Sequence, residues 1–307
     1  TTNKESRAWL EYITGENGII RSWLRAGADG WRLDVADELP DFVVEAIHKA
    51  ARAEKSDAVV IGEVWEDASN KIAYDVRRRH VLGGHCDGVM NYPIRNGILG
   101  FLLGGSGSWL RDTVETQRQN YPHWAFYSGM NSLGTHDTPR ILTLLGEGSD
   151  RKGDTSRDWR ACHRLNEGQR ALAKARLKLG SLLLYALPGS PTLYYGDEAG
   201  MEGFEDPFNR RTFPWGWEDG ELINWFTALG QARKTLQPLR KGDLRWLTTL
   251  DRAVAFSRTW EGETLIAAVN GGDHDAMLDL PNGEHLRMGA MAGCLLRWDG
   301  ERAEPIL

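Results

Sequence analysis

The sequence predicts an α/β fold with a parallel sheet, followed by a small antiparallel β-sandwich. Short apolar strands alternate with helical segments up to residue 238, and this alternation favours a parallel sheet. Most of these strands end in polar residues, and parallel α/β folds bind their ligands at the carboxyl ends of the strands. After Pro238, short strands follow one another with glycine-containing turns, which is typical of an antiparallel β domain.

Length, composition and charge narrow the classes of function. The 307-residue chain fits one large domain plus a small one, and its net charge of -6 argues against nucleic acid as a partner. No apolar run is long enough to span a membrane and no signal peptide is recognisable, so we expect a cytoplasmic protein without a membrane partner. The three cysteines are widely spaced and lack a C-x-x-C pair, which argues against a disulfide framework and a structural zinc site.

The first predicted strand covers residues 30–34, between helical stretches at 19–25 and 41–53. Side chains alternate faces along a strand, so Arg32 and Asp34 are expected to point to the same side. A guanidinium two residues from a carboxylate orients that carboxylate. A lone pair of this kind is more often a structural ion pair, so the rest of the chain must decide between structure and function.

The remaining elements follow from apolar periodicity and turn residues. Further strands of the parallel sheet are expected at 58–64, 87–91, 130–137 and 191–195. Helices are expected at 96–120 with a break near 104–107, at 168–187 and at 222–236, and loops at 147–158 and 200–217. In the last region, strands are expected at 254–258, 264–269, 276–280 and 295–298. We therefore predict two domains, 1–238 and 239–307.

Polar side chains stand at the predicted carboxyl ends of the strands: Asp34, Glu63, Asn91, His136, Asp137 and Asp197. Parallel strands end at the same edge of a sheet, so these groups are expected to converge. Converging carboxylates are unfavourable as pure structure, because like charges repel and burial disfavours the charged form. We therefore interpret the set as a functional site.

Several motifs resemble a known family. The stretch 30–38 reads G-W-R-L-D-V-A-D-E, 62–65 reads G-E-V-W and 131–137 reads N-S-L-G-T-H-D, in the order and spacing of the alpha-amylase family of glycoside hydrolases. The stretch 194–200, Y-Y-G-D-E-A-G, and the stretch 206–211, D-P-F-N-R-R, are similar to its neopullulanase, cyclomaltodextrinase and maltogenic amylase group. The resemblance covers almost the whole chain.

The resemblance implies a (β/α)8 catalytic barrel of the TIM type. The family's first conserved region, an Asn-His pair on an earlier strand, has no counterpart here. We therefore expect the chain to begin on the helix before the fourth strand and to hold about the last five β/α units. Strands 30–34 and 191–195 would then each have an unpaired edge. Exposed edges associate, so we expect a homo-oligomer or other association there, and an isolated chain that is inactive.

The resemblance also implies the roles of the site residues. Asp34 would be the nucleophile, Glu63 the general acid/base and Asp137 the third carboxylate, which stabilises the transition state. A retaining glycosidase uses two such carboxyls about 5–5.5 Å apart. The implied substrate is an α-glucan, with mainly α-1,4 bonds, such as maltodextrin, cyclodextrin, pullulan or starch. The implied substrate-binding residues are Arg32, Glu38, Trp65, His136, Asp206 and Arg210.

Among these binding residues, Arg32 would orient the nucleophile and His136 would hydrogen-bond the sugar before the scissile bond. Asp206 and Arg210 would contact sugars on the donor side. Glu38 and Trp65 would line the acceptor side.

Three alternative functions compete with a glycoside hydrolase. A glucan transglycosylase of the same family would use the same residues, with a sugar hydroxyl in place of water. A non-catalytic relative acting as a binding or partner subunit usually lacks a carboxylate, whereas Asp34, Glu63 and Asp137 are all present. A metal-dependent barrel hydrolase is disfavoured, because the motifs offer a single His beside Asp137. We expect no cofactor or metal; calcium is left open, with no site identified.

Overall fold

A computed structural model describes residues 3–148 and 156–307. The centre of the loop predicted at 147–158 lies outside the described residues, and the prediction was wrong at both ends of that loop. Glu147 is the last residue of one helix, and Arg157 and Asp158 begin another. The Ser156 side chain accepts a hydrogen bond from the Trp159 amide. Ser156 therefore caps the start of a helix in a region that was predicted to be a loop.

The described helices are α1 (Arg7–Thr14), α2 (Ile19–Arg25), α3 (Asp41–Glu54), α4 (Tyr92–Leu102), α5 (Gly107–Asn120), α6 (His123–Ser128), α7 (Ile141–Glu147), α8 (Arg157–Cys162), α9 (Glu167–Ala186), α10 (Gly220–Thr235) and α11 (Gln237–Lys241). None of these described helices is both long and apolar enough to cross a membrane. The described strands are β1 (Gly30–Leu33), β2 (Val59–Gly62), β3 (Ile72–Ala73), β4 (Val76–Arg77), β5 (Gly88–Val89), β6 (Met130–Ser132), β7 (Ser190–Thr192), β8 (Asp243–Thr249), β9 (Ala253–Trp260), β10 (Glu263–Asn270), β11 (Ala276–Asp279), β12 (His285–Met288), β13 (Ala292–Trp298) and β14 (Ala303–Pro305).

The chain divides into two compact units. The first unit comprises Thr1–Pro93 with Glu115–Met130, and the second unit comprises Ile94–Val114 with Asn131–Leu307. The first unit contains a three-stranded sheet in the order β1-β2-β5. Both pairs in it are parallel, with Leu33 opposite Gly62 and Gly62 opposite Val89. The parallel sheet predicted for this region is therefore confirmed, and it aligns the ends of β1 and β2.

Most apolar residues of β1, β2 and the neighbouring helices pack as the sequence predicts, but Trp23, Phe42 and Val59 are exposed. The buried residues of α3 include Val43, Val44 and Ile47, which recur at helical spacing. A continuous apolar run is typical of a strand that is covered on both faces, yet Val59 is 40% exposed. The apolar run therefore does not mean full burial at the first residue of β2. Strand β1 has a single neighbour in this sheet, and association through its free edge stays a prediction.

The last part of the second unit is antiparallel β structure, as predicted. Its five-stranded sheet has the order β14-β13-β10-β9-β8, and β11 pairs with β12. Leu278 and Met288 of the hairpin pack against Ala253, Ala255 and Ala268 of the larger sheet. Two faces therefore bury one small core, which is the arrangement of a sandwich.

Three of these strands were missed, each for a physical reason. A register shift between Trp246 and Thr248 interrupts the two-residue alternation in β8, so the pattern that marks a strand is broken. Strand β12 alternates with charged residues, and β14 ends on Pro305 at the sheet edge, where proline is tolerated.

Candidate active site

Arg32 lies between two carboxylates at the ends of β1 and β2. The register of the two strands places Leu33 beside Gly62, so the residues that follow them, Asp34 and Glu63, leave the sheet at the same level. The Arg32 Nη1 atom donates to Asp34 Oδ1, and Nη2 lies 3.1 Å from Glu63 Oε2. The expected contact between Arg32 and Asp34 is therefore present, and the same guanidinium also reaches Glu63.

The two carboxylates lie in contrasting surroundings. The Asp34 side chain is 77% exposed, whereas that of Glu63 is 7% exposed. Glu63 Oε2 accepts from the Val35 amide at 2.7 Å, and Oε1 accepts from Trp65 Nε1 at 3.2 Å. The enclosed carboxyl is thus held in one orientation by two donors, while the open one can reach a ligand.

The turn after Asp34 is strained. Val35 has φ 43° and ψ 57°, in the left-handed region, which is unfavourable for a β-branched side chain. This conformation directs the Val35 amide to Glu63 Oε2 and lets the Ala36 amide donate to the Glu63 carbonyl at 3.2 Å. Strain held in place at such a site is a sign of function. Residue type alone gave no indication of this donor.

Trp65 forms an aromatic platform beside Glu63. Its ring stacks on Tyr92 with centroids 3.9 Å apart and an angle of 9° between the planes. Trp65 is 45% exposed while Tyr92 is buried. One indole face is therefore fixed and the remaining surface is open, as in aromatic rings that stack on sugars. The predicted strand at 87–91 ended just before Tyr92, which is the first residue of α4.

The second unit brings together the other four residues that the motifs selected there. His136 Nε2 lies 3.1 Å from Asp137 Oδ2, and Arg210 Nη2 lies 3.6 Å from Asp137 Oδ1. Arg210 Nε lies 3.2 Å from Asp206 Oδ1. A continuous chain of polar contacts thus runs through these four side chains. The convergence of Asp137 with Asp34 and Glu63 stays a prediction.

Two residues that the sequence analysis did not select position Asp137. Asn209 is fully buried, and its amide donates to the carbonyls of His136 and Thr138 at 2.7 and 2.9 Å. Arg140 Nε donates to the Asn209 carbonyl at 2.7 Å. The backbone on both sides of Asp137 is therefore fixed by buried polar groups, and the position of Asn209 within D-P-F-N-R-R was the only signal in the sequence.

Asp197 is enclosed beside Arg140. It is 3% exposed, and its Oδ1 accepts from Arg140 Nη1 at 3.2 Å. The Arg140 guanidinium also lies over the rings of Tyr194 and Tyr195, at 4.2 and 4.5 Å from their centroids. Burial raises the pKa of Asp197 to about 7, although the charge of Arg140 opposes the shift. Asp197 was predicted at a strand end but lies beyond the end of β7, where it is a buried partner of Arg140.

The raised pKa of Asp197 predicts a pH dependence of stability. The folded state keeps a proton that the unfolded chain releases near its ordinary pKa of about 3.9. The free energy of unfolding should therefore fall as the pH rises from about 4 to about 7. Asp197→Asn cannot titrate, so its melting temperature should improve relative to the unmodified protein across that window. Asp57→Asn, at an exposed carboxylate, is the control. A melting-temperature difference that does not change with pH would contradict the assignment.

No group of three or more His, Cys, Asp or Glu side chains is placed to hold a metal ion within residues 3–148 and 156–307. The arrangement around Asp34 and Glu63 offers carboxylates, a guanidinium and an indole. Carboxyl groups are residue types that can serve in nucleophilic attack and in proton transfer.

The chain is similar in sequence to several known proteins. A protein-family model described as the alpha amylase catalytic domain matches residues 11–241. An amylopullulanase of Thermoanaerobacter thermohydrosulfuricus is 37% identical over 272 residues, covering 82% of this chain and 17% of the relative. A cyclomaltodextrinase of Geobacillus thermopakistaniensis is 31% identical over 270 residues, covering 86% of this chain and 40% of the relative. The chain thus spans less than half the length of these two relatives.

A solved structure extends the likeness to the fold. The debranching enzyme from Nostoc punctiforme superposes with a TM-score of 0.79 and 26% identity, covering 96% of this chain and 63% of that structure.

Proposed function

The chain belongs to the alpha-amylase family, and we propose that the complete natural protein carrying residues 1–307 is a retaining glycoside hydrolase that cleaves α-glucosidic bonds. Mainly α-1,4 bonds are the target, in maltodextrins, cyclodextrins, pullulan or starch. The names of the relatives support this substrate class, since they include an amylopullulanase and a cyclomaltodextrinase.

The observation that carries the proposal is the guanidinium of Arg32 between an exposed and an enclosed carboxylate. Asp34 attacks the anomeric carbon and forms a covalent glycosyl-enzyme, while Glu63 gives a proton to the leaving oxygen. Glu63 then takes a proton from the water that attacks the anomeric carbon and releases the sugar. Glu63 is enclosed and accepts one hydrogen bond on each carboxylate oxygen. These contacts hold the acid/base group in one orientation during both steps.

The second group of residues supplies the sugar contacts in this proposal. Asp137 and His136 bind hydroxyls of the sugar whose bond is cleaved, and Asp137 stabilises its developing positive charge. Asp206 and Arg210 bind sugars on the donor side. Trp65 and Glu38 contact the sugar that leaves.

The proposal is tested by product stereochemistry and by substrate choice. Proton NMR of maltotriose hydrolysis should show the α-anomer first, because two displacements retain configuration. Initial release of the β-anomer would overturn the double-displacement mechanism. Activity on maltotriose, cyclodextrin, pullulan and starch defines the substrate class, and inactivity on all four would overturn the function.

Arg210→Ala should change the preference between closed and open substrates. Arg210 joins Asp206 to Asp137, so its loss should disturb the donor side where a small ring must fit. We expect KM for cyclodextrin to rise by about tenfold, as for a lost charge-assisted hydrogen bond, and more than KM for starch. Arg297→Ala, at a surface arginine paired with Glu263, is the control. An unchanged ratio of the two KM values would contradict this role of Arg210.

The proposed domain division lies near residue 238, with a catalytic region at 1–238 and a β-sandwich at 239–307. Two boundaries support it. The match to the catalytic-domain family ends at residue 241, and the five-stranded antiparallel sheet begins at Asp243.

A further inference from the structure

A small hairpin stands next to the segment that follows Asp34. It pairs β3 with β4, with Ala73 opposite Val76. Its two-residue turn consists of Tyr74 and Asp75, with φ of 53° and 61°. Such a turn normally uses Asn or Gly, because both central residues are left-handed. An aromatic residue there is conformationally unfavourable, and a strained residue that persists points to a use for its side chain.

The base of the hairpin is fastened to residues 37–41. The buried His80 ring lies 2.8 Å from Asp37 Oδ1, and Lys71 Nζ lies 3.4 Å from Asp37 Oδ2. The buried Arg78 lies 3.1 Å from Asp41 and also donates to the Leu39 carbonyl. These contacts tie the base of the hairpin to residues 37–41 at several points, so the tip of the hairpin has a defined position.

The tip presents a phenol and a carboxylate together. The Tyr74 hydroxyl donates to Glu38 Oε2, and this bond raises the pKa of Tyr74, so the phenol stays protonated. Tyr74 is nevertheless 71% exposed, and its neighbours Ile72 and Val76 are 66% and 51% exposed. A ring next to a carboxylate suits a sugar, because the ring packs on C–H groups and the carboxylate accepts hydroxyl hydrogens.

We propose that Tyr74, together with Glu38, forms a binding subsite for the saccharide on the leaving-group side of the cleaved bond. The inference rests on the proposed function and adds a residue that the family motifs do not contain. Tyr74 acts as a specificity determinant: it binds the part of an α-glucan that departs, and it takes no part in the attack by Asp34. Its contribution should therefore depend on whether the substrate has sugars on that side.

A comparison of two substrates distinguishes a sugar-binding role of Tyr74 from a structural role. Maltopentaose has sugars on the leaving side, whereas α-maltosyl fluoride has only fluoride there. In the complete protein, Tyr74→Ala should lower kcat/KM for maltopentaose by about fivefold, the scale of one lost aromatic contact, mainly through KM. Its kcat/KM for α-maltosyl fluoride should stay within about twofold. Tyr74→Phe, which keeps the ring and loses the bond to Glu38, should fall between Tyr74→Ala and the unmodified protein.

Tyr12→Ala is the matched control, because Tyr12 lies on α1 and is 65% exposed. It should leave kcat/KM unchanged for both substrates. Equal losses on both substrates for Tyr74→Ala would overturn the subsite and indicate a structural role. No loss on maltopentaose would overturn it as well. If the unmodified protein turned over neither substrate, the proposed function itself would fail, and the subsite would fall with it.

Discussion

Asp34→Asn should reduce kcat on maltotriose by about 10⁴-fold or more, because loss of a covalent nucleophile removes the reaction path that it opens. The substitution is nearly isosteric, and the side chain that it changes is 77% exposed. Arg32 retains Glu63 at 3.1 Å, so its charge keeps one partner. The folded state should therefore be little affected, with a change in unfolding free energy within about 0.5 kcal/mol. Initial rates and thermal unfolding measure the two effects separately.

The matched control is Asp57→Asn, another exposed aspartate of the first unit, which should leave both quantities unchanged. Residual activity of more than about 5% in Asp34→Asn would be incompatible with a nucleophile. A large loss of melting temperature together with activity would point instead to a structural ion pair between Arg32 and Asp34.

Glu63→Gln should give the second largest effect, and one that depends on the leaving group. A sugar oxygen needs a proton as it departs, so hydrolysis of maltotriose should fall by about 10³-fold, within the usual contribution of acid–base catalysis. Fluoride departs without a proton, so the rate of glycosyl-enzyme formation from α-maltosyl fluoride should fall far less. Single-turnover rates on the two substrates make the comparison.

Glu63→Gln should also reduce stability. Both carboxylate oxygens accept hydrogen bonds, from the Val35 amide and from Trp65 Nε1. A glutamine side chain offers one oxygen and one NH2 group, so one donor would face another donor, at a cost of about 1–3 kcal/mol. Glu45→Gln, at a helix-surface glutamate paired with Lys49, is the control. Equal losses on the natural sugar and on the fluoride would contradict the role of Glu63 as the acid.

The elements that the sequence predicted best have both a periodic face and clear ends. Helix α2 matches its predicted bounds, since Ile20 and Leu24 are buried at helical spacing and Gly27, with φ 109°, follows its end. Strand β5, by contrast, has two residues where five were predicted. Such a short strand is defined by its partner β2, and pairing of distant residues leaves no local pattern.

The contacts of the candidate site also differ in how far the sequence could predict them. The contact between Arg32 and Asp34 could be predicted, because both side chains lie on one face at the end of a strand, whereas the catalytic roles of Asp34 and Glu63 stay predictions. The Val35 amide could not be predicted, because every residue but proline has such a donor and only the fold aims it. The hydrogen bond between Tyr74 and Glu38 was not predicted because the two residues are 36 positions apart in the sequence. The contacts of Asn209 were not predicted because they are made to backbone carbonyls.

The Val35 amide orients the Glu63 carboxylate through a backbone N–H. The orientation of Glu63 therefore depends on the backbone conformation at Val35 and not on its side chain, which affects which substitutions position 35 tolerates. A donor on a side chain is lost by any substitution that changes that side chain, whereas this donor survives most substitutions at position 35. Glycine would remove the strain of φ 43° and keep the N–H. Proline alone would remove the N–H, and its ring also forbids this φ. Related sequences should therefore carry many different side chains at position 35, all with the same backbone conformation. Proline should be absent from this position.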